Sequence, residues 1–268
     1  MSCIDKFVIP SIRRLCVFVQ QNTERHGAEN LQGITTRTTS SCGPHAADFR
    51  GRRRAGLGAA FEVTPAAGVL DGDILIHNHC YRADEMALVM DMAKEMGYKV
   101  TAFHHAVEAY KIGDLLREND VCSAVWADWY GFKMESYDGI PENASLLWKA
   151  GACVVIHSDD ENGIQRLNQE AAKAQAAGRR MGLDIPDAEV IGWITLNPAR
   201  AMGIDAMTGS LEPGKMADVV LWNGDPLSVY SRPEKVWIDG ALLYDALDRK
   251  RRPVSDFELG QPGEGDVK

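Results

Sequence analysis

The stretch Asp73-Ile-Leu-Ile-His-Asn-His79, followed by Ala83-Asp-Glu-Met-Ala-Leu-Val-Met-Asp-Met-Ala-Lys-Glu-Met96, decides the fold class. Its first seven residues are a short apolar run that ends in histidine, which reads as a strand buried in a sheet. Its second part sets Met86, Val89, Met90 and Ala93 at spacings of three and four, the period of a helix with one apolar face. A strand followed by such a helix is a βα unit, and repeats of it build a parallel sheet. The unit recurs three times. Residues 99–105 read as a strand with a helix over about 107–118; residues 122–126 as a strand with a helix within 143–150; residues 152–159 as a strand leading into an Ala-rich helix over 164–181.

The pattern changes on both sides of this block. Downstream, residues 187–195 read as a helix, and Thr195, Asn197 and Pro198 form a helix start of the cap-plus-proline type running to Met202. The alternation then stops. Glu212-Pro-Gly-Lys215 suits a type II turn, and residues 217–222, 235–238 and 241–244 read as short strands of a small β unit. Upstream, residues 1–65 show no sustained periodicity and read as an irregular basic leader. The expected organisation is therefore a leader (1–65), an α/β part (66–205), a β segment (206–247) and a loose, Pro- and Gly-containing tail (248–268).

Charge follows the same division. Residues 1–60 carry nine Lys/Arg against four Asp/Glu, including the run Arg50-Gly-Arg-Arg-Arg54, whereas the whole chain has a net charge of −9. That overall balance argues against a nucleic-acid-binding surface, which needs a net basic footprint, and no aromatic residue interleaves the arginines. A small-molecule partner is expected instead. Six cysteines without CxxC pairing argue against a zinc ribbon or a disulfide framework and favour a reducing compartment. The N-terminus lacks the continuous apolar core of a secretory signal, and nowhere do about 18 apolar residues run together, so a cytoplasmic protein with no membrane span is expected.

The chemistry-bearing residues cluster at strand ends. His79, His105 and Asp159 each close a predicted parallel strand. In (β/α)8 barrels the C-terminal ends of the strands build the active site, so residues far apart in sequence converge there. Two imidazoles and a carboxylate are ligands that catalytic zinc accepts. Taken singly, each has a structural reading: a hydrogen-bonded interior histidine for His79 or His105, a helix N-cap for Asp159. Three such readings at three successive strand ends are harder to sustain. His77 shares the parity of His79 and lies one layer deeper; His104 has the opposite parity to His105 and reads as structural.

The segments His79-Cys-Tyr-Arg-Ala-Asp-Glu85, His105-Ala-Val-Glu-Ala-Tyr-Lys111, Ser158-Asp-Asp160, Thr195-Leu-Asn-Pro-Ala199 and Gly209-Ser-Leu-Glu-Pro-Gly-Lys-Met-Ala-Asp218 resemble, in order, the amidohydrolase superfamily and within it the imidazolonepropionase-like branch. The likeness runs from about residue 70 to 244. It implies an α/β fold in which strands 5–8 of a (β/α)8 TIM-like barrel are followed by part of a β-sandwich. It also implies hydrolysis of amide or cyclic amide C–N bonds with Zn2+ or another divalent transition metal. By the same resemblance His79 and His105 are metal ligands. Asp159 is both a ligand and the catalytic base that passes a proton from the attacking water to the leaving nitrogen. Tyr81, Arg82, Glu108 and Lys111 match neighbouring motif positions and would shape the substrate pocket or orient the ligands.

The family's strand 1 carries a His-x-His pair, and no such pair precedes residue 77; His26 and His45 stand alone. Its strand 4 often carries a bridging carboxylated lysine, for which Glu62 is the nearest substitute. Four βα units at about 30 residues each exceed the space before residue 70. The expectation is a shortened amidohydrolase whose open sheet edges favour association into a homo-oligomer. Two other readings compete with a working enzyme: a catalytically silent scaffold that holds metal weakly, and a basic arm that binds nucleic acid.

Overall fold

The computed structural model describes residues 15–20, 65–160 and 163–251. Five strands, β1 (Leu15–Gln20), β2 (Ile74–His79), β3 (Val100–His104), β4 (Cys122–Val125) and β5 (Cys153–Ile156), form one sheet in that order, every pair parallel. Between them run α1 (Pro65–Asp71), α2 (Ala83–Met96), α3 (Gly113–Glu118) and α4 (Asn143–Lys149), with a 3-10 turn over Ala109–Ile112 ahead of α3. After β5 come α5 (Leu167–Arg180), α6 (Asp187–Gly192) and α7 (Leu196–Ala201). A separate antiparallel sheet follows, built from β6 (Val219–Trp222), β7 (Pro233–Ile238) and β8 (Ala241–Asp245).

This is an α/β fold with a parallel sheet, as expected. Strand β1 departs from the expected irregular leader. Its residues Leu-Cys-Val-Phe-Val-Gln are β-branched and aromatic enough to extend the sheet beside β2, although the segment is too short to show a period. His26, His45, Arg50–Arg54 and Glu62 lie outside the described residues.

Sequence period explains the helix that follows the deciding strand. In α2, Met86, Val89, Met90 and Ala93 are buried, while Asp84 and Glu85 occupy the first turn and Lys94 the last, matching the helix dipole. The helix stops at Gly97, whose φ of 79° lets its N–H and that of Tyr98 both reach the Ala93 carbonyl.

Packing differs on the two faces of the sheet. Against the helices, Phe103, Val125, Val154 and Ile156 join Met86, Leu116, Leu147 and Trp193 in one core in which each is at most 2% exposed. The opposite face carries small or polar residues in register. One row reads His77, Ala102, Cys122, Cys153, and the next reads His79, His104, Ala124, Val155. The only apolar cover among the described residues buried there is Ala201 of α7.

Cys122 and Cys153, paired in register with their Cα atoms 4.4 Å apart, form a disulfide. The sequence reading had all six cysteines reduced; adjacency on neighbouring strands, invisible at a separation of 31 residues, brings these two together. No helix among the described residues is long and apolar enough to cross a membrane.

Candidate active site at the strand ends

The C-terminal ends of β2, β3 and β5 carry five histidines whose rings meet. His79 Nδ1 lies 2.9 Å from His105 Nε2, and Asp159 Oδ2 lies 3.9 Å from the same nitrogen. The three residues expected as ligands are thus brought together from three strand ends. His77 sits one row deeper, its Nδ1 2.9 Å from His104 Nε2 and its Nε2 2.9 Å from the Ala201 carbonyl. His157 completes the group, its ring centroid 5.1 Å from that of His105.

Backbone geometry aims two of these side chains. His105 and Asp159 have φ of 57° and 56°, a left-handed conformation that costs non-glycine residues about 1 kcal/mol or more each. Neighbouring side chains hold both turns. Beyond His105, Asn143 donates from Nδ2 to the Ala106 and Val107 carbonyls and accepts from the Tyr110 N–H. Beside Asp159, the Ser158 carbonyl accepts from Trp126 Nε1 at 2.8 Å, and the Ser158 hydroxyl donates to the Asp160 carbonyl.

The left-handed turn also corrects the parity argument. Strand β3 ends at His104, so His105 does not alternate to the opposite face. His104 stacks on His79 at 5.1 Å and its centroid is 6.3 Å from that of His105, so it belongs to the cluster.

Burial keeps the imidazoles neutral. Desolvation, joined by repulsion from neighbouring histidines, pushes His104 and His105 down to about 3, and His157 falls well below its ordinary value for the same reasons. His77 and His79 are lowered chiefly by desolvation. Asp159 moves the other way, its carboxyl raised by burial and partly restrained by His79 and Lys133.

Neutral imidazole is the form that binds a metal. Among the described residues two buried nitrogens, His105 Nδ1 and His157 Nε2, have no hydrogen-bond partner in a cluster rich in such donors. The donor set therefore fits a divalent transition metal in its chemistry. Among the described residues no group of three or more His, Cys, Asp or Glu is placed so as to hold a metal ion, and His79 and His105 hydrogen-bond each other.

The remaining expected residues divide. Tyr81 stacks on His105 at 5.4 Å and lines a cavity of about 450 Å3 with Trp126, Trp129, Tyr130, Phe132, Lys133 and Asp159. Arg82 turns to solvent and pairs with Asp84 at 3.0 Å. Glu108 accepts the Ala83 N–H at 3.0 Å, capping α2, and meets Lys111 at 3.4 Å. Lys111 in turn holds Asp138 at 2.6 Å, tying down the loop after β4.

Sequence reasoning passed over His157, Trp126 and Lys133. His157 follows β5 directly, and the same strand-end rule that selected Asp159 would have found it. Trp126, stacked on His105 at 4.7 Å and on His157 at 4.9 Å, closes β4 in the same way. Lys133 sits in an irregular loop and carried no signal.

Residues 134–244 match the model of the amidohydrolase family. The amidohydrolase tasK of Hapsidospora irregularis is 30% identical over 202 residues, which are 71% of this chain and 20% of that protein. The urease subunit alpha of Staphylococcus aureus is 46% identical over 58 residues, 22% of this chain and 10% of that protein. Among solved structures, an amidohydrolase from Thermotoga maritima superposes with a TM-score of 0.61 at 28% identity, over 73% of this chain and 50% of that one. An adenosine deaminase from Xanthomonas campestris with bound zinc superposes with a TM-score of 0.52 at 19% identity, over 70% and 48%. The chain thus spans a fifth or less of these sequence relatives and about half of these structures. Residues 134–244 carry an amidohydrolase family domain, within a parallel α/β fold shared with part of a solved amidohydrolase.

Proposed function

We propose that this chain carries the catalytic half of a metal-dependent amidohydrolase that cleaves amide or cyclic amide C–N bonds in a small molecule, with β2–β5 as barrel strands 5–8. The observation that carries the reading is the meeting of His79, His105 and Asp159 from three strand ends, two of them in strained left-handed backbone. Family sequence over residues 134–244 and the likeness to two proteins named as amidohydrolases support it.

His79, His105 and Asp159 would hold the metal, zinc or another divalent transition ion. When bound, such an ion makes water a nucleophile near neutral pH and polarises the carbonyl under attack. Asp159 supplies the proton traffic. Its carboxylate takes a proton as the water oxygen bonds to the carbonyl carbon, then gives a proton to the nitrogen as the C–N bond breaks. Burial raises that carboxyl above its ordinary value, which eases its protonation in the first half of that exchange. Neutral His79 and His105 present lone pairs, and Tyr81 and Trp126 keep bulk water from His105 by stacking on it.

The test is a screen of N-acyl amino acids, dipeptides and cyclic amides with zinc supplied, comparing the natural chain with Asp159→Asn. Loss of about 100-fold or more in turnover with unchanged circular dichroism is expected. Equal turnover in the variant refutes the assignment.

A further inference from the structure

We infer that the cavity beside Asp159 selects amides that join a flat, π-faced group to a carboxylate, and that Lys133 is the specificity residue reading that carboxylate. This rests on the hydrolase reading above and names the substrate class for the same site.

The walls of the 450 Å3 cavity are mainly aromatic. Trp126 and Trp129 lie nearly parallel, 20° apart with centroids 6.1 Å distant, and Phe132 meets Trp126 edge-on at 5.6 Å. Trp129 and Phe132 are 42% and 56% exposed, so the chain leaves large π surfaces in water at the mouth of its site. A flat ring covering them gains both apolar burial and stacking, which an alkyl chain gains only in part.

Lys133 gives the cavity a second feature. Its ammonium stands 4.1 Å from the Tyr81 ring centre and 5.4 Å from that of Phe132. Among the described residues it forms no ion pair, whereas Lys111, Lys173 and Lys215 each hold a carboxylate. The rings position this cation without neutralising it; Asp159 feels its charge across the cavity but forms no ion pair with it, so the ammonium can still meet a ligand's carboxylate.

Among the described residues Asp159 is the one carboxylate in the cavity wall, and it repels an anion at its own end. A bound substrate therefore orients with its carboxylate at Lys133, its ring on the tryptophans and its amide toward Asp159. N-aroyl amino acids are the simplest molecules with that pattern.

Tryptophan fluorescence titration tests this without turnover, using the full chain carrying Asp159→Asn. The probes are N-benzoylglycine, N-benzoylglycinamide, which lacks the carboxylate, and N-hexanoylglycine, which lacks the ring. N-benzoylglycine is expected to bind about tenfold more tightly than either of the others. Adding Lys133→Met should abolish its advantage over the glycinamide and leave the glycinamide's affinity unchanged, while Lys133→Arg keeps the preference. Equal affinity for acid and amide, equal affinity for the benzoyl and hexanoyl compounds, or a preference that survives Lys133→Met overturns the inference. The two readings fail separately. Preferred binding of N-benzoylglycine with no hydrolysis of it or any other amide by the natural chain removes the hydrolase and leaves the pocket. Hydrolysis of aliphatic amides without the preference removes the pocket and leaves the hydrolase.

Discussion

Acidification should destabilise this fold well above the pH at which its carboxylates protonate, and the cause is the histidine cluster. His105 is 5% exposed, and burial with repulsion from His79 and Lys133 takes it from an ordinary 6.5 down to about 3. An unfolded chain frees that ring to bind a proton below pH 6.5, so between 6.5 and about 3 the unfolded state holds more protons. Stability then rises with pH across that window and is lost as pH falls through it. The loss is about 1.4 kcal/mol per pH unit for one such histidine, or about 2 kcal/mol by pH 5. His104, also pushed down to about 3, acts in the same direction. Against a typical domain stability of about 5–15 kcal/mol this is large.

The assay is urea unfolding of chelator-treated protein at pH 7.5, 6.5, 5.5 and 5.0, followed by circular dichroism, with His105→Gln alongside. Asp159, raised by burial, contributes with the opposite sign, and the variant separates the two. The natural chain should lose about 2 kcal/mol or more on going to pH 5, and His105→Gln should lose correspondingly less. A natural chain whose stability is flat from pH 7.5 to 5.0, or a variant with an identical slope, refutes the account of the cluster as buried neutral imidazoles.

Two further predictions concern the supports of the site. Glu108→Ala removes the acceptor for the Ala83 N–H and the partner of Lys111, and should cost about 1 kcal/mol in urea unfolding; no loss would show that the cap contributes nothing. Reduction of the Cys122–Cys153 disulfide, which closes a loop of 31 residues, should lower stability by about 3 kcal/mol, read as a shift in the urea midpoint with and without dithiothreitol. An unchanged midpoint with a confirmed free-thiol count would remove the bridge from the account of stability.

What the sequence made legible followed period. Met86, Val89, Met90 and Ala93 announced α2, which spans Ala83–Met96 as expected, because one buried face is enough to write a 3.6-residue repeat. The strand-end rule found His79, His105 and Asp159 for the same reason: alternation of strand and helix locates strand ends without any knowledge of contacts. It failed where position depends on a single dihedral angle. His104 reads as structural, with parity opposite to His105, only because alternation is carried one residue past the end of β3, into a residue with φ of 57°. The Cys122–Cys153 pairing depends on lateral register between β4 and β5, and Lys133 on the path of an irregular loop, and neither leaves a periodic trace.

The braces of the site were the least legible, and they govern its geometry most. Left-handed backbone at His105 and Asp159 is unfavourable in isolation, so each turn persists only if other contacts offset its cost. Asn143 supplies three hydrogen bonds to the chain just beyond His105, and Trp126 and Ser158 fix the chain around Asp159. None of these residues has chemistry to perform, and Asn143 lies 38 positions from the histidine it steadies. Trp126 couples the two halves, since its indole nitrogen holds the turn at Asp159 while its ring stacks on His105. A substitution there would therefore disturb two of the three proposed ligands at once, through a residue that touches neither the proton path nor the scissile bond.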